Sequence, residues 1–110
     1  MNPFPQLKTD GEARDFLAKM LRPGTGKDAV LAAFAEFGNA SVRRNHGVEI
    51  EFRVKDARPS GKPGVFKPVT RDGKVTFHTG TPMIDLFITV RFDNDRKLRS
   101  WKFVYATLPA

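Results

Sequence analysis

The chain has no cysteine, so disulfides, thiolate metal sites and a cysteine nucleophile are all excluded; this says nothing about compartment. It has only two histidines, His46 and His78, and neither has a ligand at metal spacing nearby. His46 falls in an expected turn and His78 at an expected strand end, where histidines are ordinary surface residues. Ser41, Ser60 and Ser100 lie in no nucleophile elbow, and Asp93 and Asp95 read as turn formers. Glu49 and Glu51 stand two apart on an expected strand, side by side in solvent, which is not the setting of a paired-carboxylate site. No catalytic residue, metal ligand or cofactor site is assigned, and the chain is not expected to be an enzyme.

Long apolar runs are also missing, and no stretch approaches the length of a membrane span. The opening residues, Met1 to Thr9, have neither a basic segment nor an apolar one, so they do not read as a secretion signal. As written the chain is expected to be soluble and cytoplasmic. A chain trimmed of a leader and restarted at Met would read the same and belong in the periplasm or at the outer-membrane face.

What is present is a basic, moderately apolar sequence of 110 residues, the size of one domain. It carries 19 Lys and Arg against 12 Asp and Glu, a formal charge of +7, which favours acidic partners. No run of five or six like charges occurs, so the charge is spread rather than gathered into an arm. Ten Phe and a hydrophobic fraction of 40% are enough for a packed core without staples.

The pattern changes period near the middle. Up to about Phe37 apolar residues recur at helical spacing, and from Val48 to Val54 and Ile84 to Phe92 they alternate with polar ones. This predicts an α+β fold, two N-terminal helices on one face of an antiparallel sheet of about four strands. Residues 1–9, with two prolines, read as an extended, mobile lead-in, and residues 10–108 as the domain. Asp10 is the expected cap of a first helix with Phe16, Leu17, Met20 and Leu21 on its buried side, ended by Arg22-Pro23-Gly24. Thr25 to Asp28 forms a weak capping box before a second helix that buries Val30, Leu31, Phe34 and Phe37, with Gly38-Asn39 as a left-handed stop.

Val42 to Arg44, a turn at Asn45 to Gly47, and a strand from Val48 follow. Val48, Ile50, Phe52 and Val54 face one way; Glu49, Glu51, Arg53 and Lys55 face the other. Asp56 to Gly64 reads as a flexible loop. Asp72-Gly73 is expected to be a two-residue hairpin turn, with Val75 and Phe77 on the return limb and Pro68 confining the outgoing one. Ile84 to Phe92 is the clearest strand. The last, about Leu98 to Thr107, sets Trp101, Phe103 and Tyr105 on one face.

This order resembles a known family. Leu21-Arg-Pro-Gly24-Thr25-Gly-Lys27-Asp28-Ala-Val30-Leu31 and Phe37-Gly38 stand where the small bacterial outer-membrane lipoproteins of outer-membrane protein assembly carry G-M-T-K-x-x-V … G. Val90-Arg-Phe92-Asp93 through Leu98 to Trp101 resembles that family's closing V-x-F-D-x-x-G-x-L hairpin. The order is also similar to the beta-lactamase-inhibitor-protein repeat. The chain lacks the family's lipid-bearing cysteine and has a longer loop at Pro59 to Gly64. The resemblance implies an envelope-protein partner, or an enzyme that the domain inhibits.

Two binding surfaces follow from the residues. A protein partner is expected on the wet sheet face and the loops at 56–64 and 78–83, through Arg53, Lys55, Phe87, Thr89, Arg91, Arg58 and Lys62. There Phe87 serves as an exposed anchor between Arg53 and Arg91. The alternative is burial of Phe87 under a terminal segment or the Pro/Gly loop. Nucleic acid is the other class of partner, through Arg99, Trp101, Lys102 and Tyr105, whose rings and cations interleave as in single-strand binders. Against it, the same rings belong to a core beneath the helices. Pro23-Gly-Thr-Gly-Lys27 superficially resembles a phosphate loop but lacks a preceding strand and the full spacing.

Overall fold

A computed structural model describes residues 2–59, 64–65, 69–76, 79–80 and 83–106. The helices are α1 (Asp10–Met20) and α2 (Lys27–Ala35). The strands are β1 (Ala40–Asn45), β2 (Glu49–Pro59), β3 (Gly64–Val65), β4 (Val69–Arg71), β5 (Lys74–Thr76), β6 (Thr79–Gly80), β7 (Met83–Phe92) and β8 (Leu98–Ala106). Four strands form an antiparallel sheet in the order β1-β2-β7-β8, while β3 pairs with β6 and β4 with β5. The fold is therefore α+β, with both helices N-terminal to the strands. Among the described residues no helix is long and apolar enough to cross a membrane.

Direct partners across an antiparallel pair point to the same face. Ile50 opposite Val90, Phe52 opposite Ile88, and Val54 opposite Leu86 thus make one apolar face, continued on β8 by Trp101, Phe103 and Tyr105. Leu17 of α1, Leu21, and Val30 and Phe34 of α2 pack on it, which puts the core between helices and sheet. The alternation in β2 and β7 is the cause: one face must be removed from water, and the apolar stripes of the helices cover it.

Several boundaries differ from those the sequence suggests. Thr9, not Asp10, caps α1; its Oγ1 accepts from the Glu12 amide at 3.1 Å, and the Glu12 carboxylate accepts from the Lys8 amide at 2.9 Å. Gly26, which has no side chain to offer, occupies the cap position of α2, and the Thr25 hydroxyl donates to the Arg22 carbonyl instead. Neither Gly38 nor Asn39 is left-handed. Asn39 works through its side chain, accepting from the Phe4 amide at 2.8 Å and donating to the Lys55 carbonyl at 2.8 Å.

The segment before α1 is extended but not a free lead-in. Phe4 is 2% exposed, packed edge-on against Phe16 and Phe37, and the Gly38 amide donates to the Asn2 carbonyl. β2 runs through the expected loop as far as Pro59, because a bulge between Val54 and Arg58 resets its register against β7. Asp56 sits in the bulge at φ 52°. The Asp72-Gly73 turn joins β4 to β5 with φ of 51° and 74°, the doubly left-handed geometry of a two-residue hairpin turn. Phe77, His78, Lys62 and Pro68 lie outside the described residues, as do residues 60–63 of the expected binding loop at 56–64 and residues 78, 81 and 82 of that at 78–83.

Candidate partner-binding surface

The face of the sheet away from the helices is ordered by ion pairs. Arg43 binds Glu51 at 2.8 Å, Arg53 binds Asp85 at 2.7 Å and Arg91 binds Glu49 at 3.0 Å. Each pair links neighbouring strands, β1 to β2 in the first and β2 to β7 in the others. Lys55 and Lys102 are exposed on this face and have no acid within ion-pair distance among the described residues. The face is therefore net positive although each of its carboxylates is engaged.

Phe87 stands on this side, as alternation requires, beside Arg53 on β2 and Val104 on β8. It is 7% exposed, so it is not an open anchor. The Arg43 guanidinium lies 5.1 Å from its ring centroid. A register shift between Val42 and Arg44 sets both arginines against Glu51, which lets Arg43 reach across to Phe87. Among the described residues, the large apolar side chain this face exposes is Val104, at 57%. Thr89 is half-buried at mid-sheet between Glu51 and Lys102.

Asp85 is 7% exposed and anchors this face. Its Oδ2 accepts from Arg53 and its Oδ1 from the Asp56 amide at 2.9 Å, so one carboxylate holds both the ion pair and the bulge. Asp85→Ala is expected to cost roughly 2–3 kcal/mol by urea unfolding, below the value for a wholly buried pair because Arg53 still reaches water. Asp85→Asn, which keeps an acceptor for the amide, should lose less. Equal losses from the two variants would show that the amide contact contributes nothing.

Arg58 is not on this face. Its guanidinium stacks 3.6 Å from the Tyr105 ring centroid and binds Asp10 at 2.9 Å, tying β2, β8 and the start of α1 together. The Tyr105 hydroxyl and Arg58 Nη1 are buried without partners among the described residues. Burial pushes the Tyr105 phenol above its ordinary range; Arg58 opposes this and Asp10 adds to it. A pKa raised on folding stabilises fully below the unfolded value, ~10, and the contribution disappears as pH rises through the folded value. Tyr105→Phe should therefore abolish part of the alkaline loss of stability. At neutral pH it should change stability by less than about 1 kcal/mol, since no hydrogen bond is removed. Urea midpoints for both proteins at neutral and alkaline pH check this.

Trp101, Phe103 and Tyr105 lie half-buried at the rim of the core, with Trp101 and Phe103 stacked at 6.2 Å. Lys102 points to the opposite face and Arg99 is exposed at the start of the strand. The rings and Lys102 thus do not share one platform. The glycine turn before α2 is not an anion cradle either. Its Gly24, Thr25 and Lys27 amides donate to Leu98, Arg22 and Arg96 carbonyls, and Lys27 Nζ donates to the Gly47 carbonyl at 2.7 Å. Asp93 proves a turn former, its carboxylate accepting from the Asp95 and Lys97 amides. Among the described residues no cluster of three or more His, Asp or Glu has metal-site geometry.

Sequence reasoning missed Arg43 and Asp85, the two residues that organise this surface; their partners are strand neighbours that only the register brings together. Comparison with protein-family models, with curated proteins and with solved structures gives no match to this chain.

Proposed function

We propose that this chain is a non-catalytic protein-binding module that acts through the helix-free face of its sheet. The observation that supports this best is the state of that face. Its arginines are held in place by Glu49, Glu51 and Asp85, so a partner would meet a fixed pattern of charge without first ordering long side chains. Exposed Val104 adjoins the buried Phe87–Arg43 stack, and Lys55 and Lys102 flank it, an apolar centre with a polar rim. The order of elements also suits the family resemblance, under which the partner is an envelope protein or an enzyme that the domain inhibits.

Nucleic acid is the weaker reading. A single strand needs rings and cations accessible from one side, and the half-buried Trp101 and Tyr105 face away from Lys102. The test is a photo-crosslinking side chain placed at Val104, with Ala18 on the outer side of α1 as control, in nuclease-treated and untreated extract. A single protein adduct at position 104 alone, surviving nuclease, is expected. Adducts of nucleic acid, or equal labelling at both positions, would overturn the reading.

A further inference from the structure

We infer that the outer edge of β8 takes up an extended acidic segment of the partner as an added strand. The inference deepens the protein-binding reading and rests on it. Hydrogen-bond direction in the sheet supplies the first step. The Phe92 amide donates to the Val48 carbonyl at 2.7 Å, on the β2 side. Backbone groups alternate along a strand, so Phe87, Thr89 and Arg91 of β7 turn theirs toward β8. Their register partners Val104, Lys102 and Ser100 bond inward, and Trp101, Phe103 and Tyr105 direct their N–H and C=O groups outward. Among the described residues no group bonds to these outward N–H and C=O groups.

The fold already uses this edge at its other end. Leu98 donates to the Thr25 carbonyl at 2.7 Å and accepts from the Gly24 amide at 2.9 Å, and Gly26 bridges Lys97 in antiparallel sense. The turn between the helices thus acts as a short added strand that stops at Leu98. From Trp101 to Tyr105 the same edge has no partner among the described residues, an arrangement that natural sheets usually cover.

Charge selects the occupant. An open groove of about 430 Å³ runs between α1 and β8, lined by Asp10, Arg14, Trp101, Lys102 and Phe103. Asp10 is engaged by Arg58, so the charges that flank the edge, Arg14 on the helix side and Lys102 on the other, are both positive. β8 itself has no carboxylate from Leu98 to Ala106, so a second copy paired along this edge would bring no anion to Lys102. A segment in which acids alternate with apolar residues satisfies both sides at once. Its acids meet Lys102 on one face and its apolar side chains extend the rim of Trp101, Phe103 and Tyr105 on the other.

The test uses the whole chain and a synthetic peptide alternating glutamate and valine, followed by amide hydrogen exchange and fluorescence anisotropy. Slowed exchange of the Trp101, Phe103 and Tyr105 amides is expected, with the Val42 amide at the β1 edge unchanged. Lys102→Glu should weaken binding about tenfold, ~1.4 kcal/mol, while a lysine–valine peptide should bind that variant better than the original. No protection at peptide concentrations up to about 1 mM would overturn the inference. So would protection of the same amides without peptide together with a sedimenting dimer, which would assign the edge to a second copy. If position 104 still crosslinks one protein while these amides stay unprotected, the sheet face binds and the edge does not.

Discussion

Phe52→Ala is expected to destabilise the protein by about 3–5 kcal/mol, the range for emptying a buried aromatic site. Phe52 is 1% exposed and lies at the centre of the sheet, with Val42 of β1 on one side and Ile88 of β7 on the other. Its ring stacks on Phe34 of α2 at 4.0 Å and 16°, so it also fastens the second helix to the sheet. A helix above and strands on both sides leave little room for collapse into the vacated space, which argues for the upper part of the range. Domains of this size are stable by only about 5–15 kcal/mol, so the variant should unfold at much lower urea, with the slope of the transition preserved. A loss under about 1.5 kcal/mol would mean that α2 settles onto the sheet and fills the gap.

Phe4→Ala should cost nearly as much, about 3–5 kcal/mol, although the residue lies outside every helix and strand. Its ring makes edge-to-face contacts with Phe16 at 5.2 Å and Phe37 at 5.0 Å, joining α1 to the segment just after α2, and its amide is held by Asn39. Deleting residues 1–8 should be at least as damaging, because it also removes the half-buried Leu7 and the Asn2 carbonyl that Gly38 uses. Urea unfolding of both variants checks this. A mobile lead-in would give no change in either.

The contrast between these two residues shows what a sequence carries. Phe52 belongs to an alternating run, and alternation alone assigns it to the buried face. Phe4 stands alone between two prolines, and a single aromatic has no period to read. The sequence pattern ends before β2 does for a related reason: the bulge at Asp56 breaks the alternation, and Pro59 imitates the start of a loop. Asp72-Gly73 was legible because left-handed φ at two successive residues demands that chemistry. On the candidate surface, alternation gave the side on which Phe87 lies but not its cover. The guanidinium over its ring is that of Arg43, on another strand, and Asp85 meets Arg53 across 32 positions of sequence. Contacts of this kind are set by register, and register is a property of the assembled sheet.

Pro59 and Met83 are direct partners across β2 and β7. The chain therefore leaves the sheet and returns to it on the same rung, so that residues 60–82 form an excursion whose two ends are already side by side. The ladder between β2 and β7 does not depend on how long that excursion is, except through the entropy of closing it. That term grows only with the logarithm of length, ~0.6 kcal/mol for each doubling. The ladder itself therefore tolerates added length at this point at small energetic cost, so a new appendage can enter there while the pairing of β2 with β7 stays as it is.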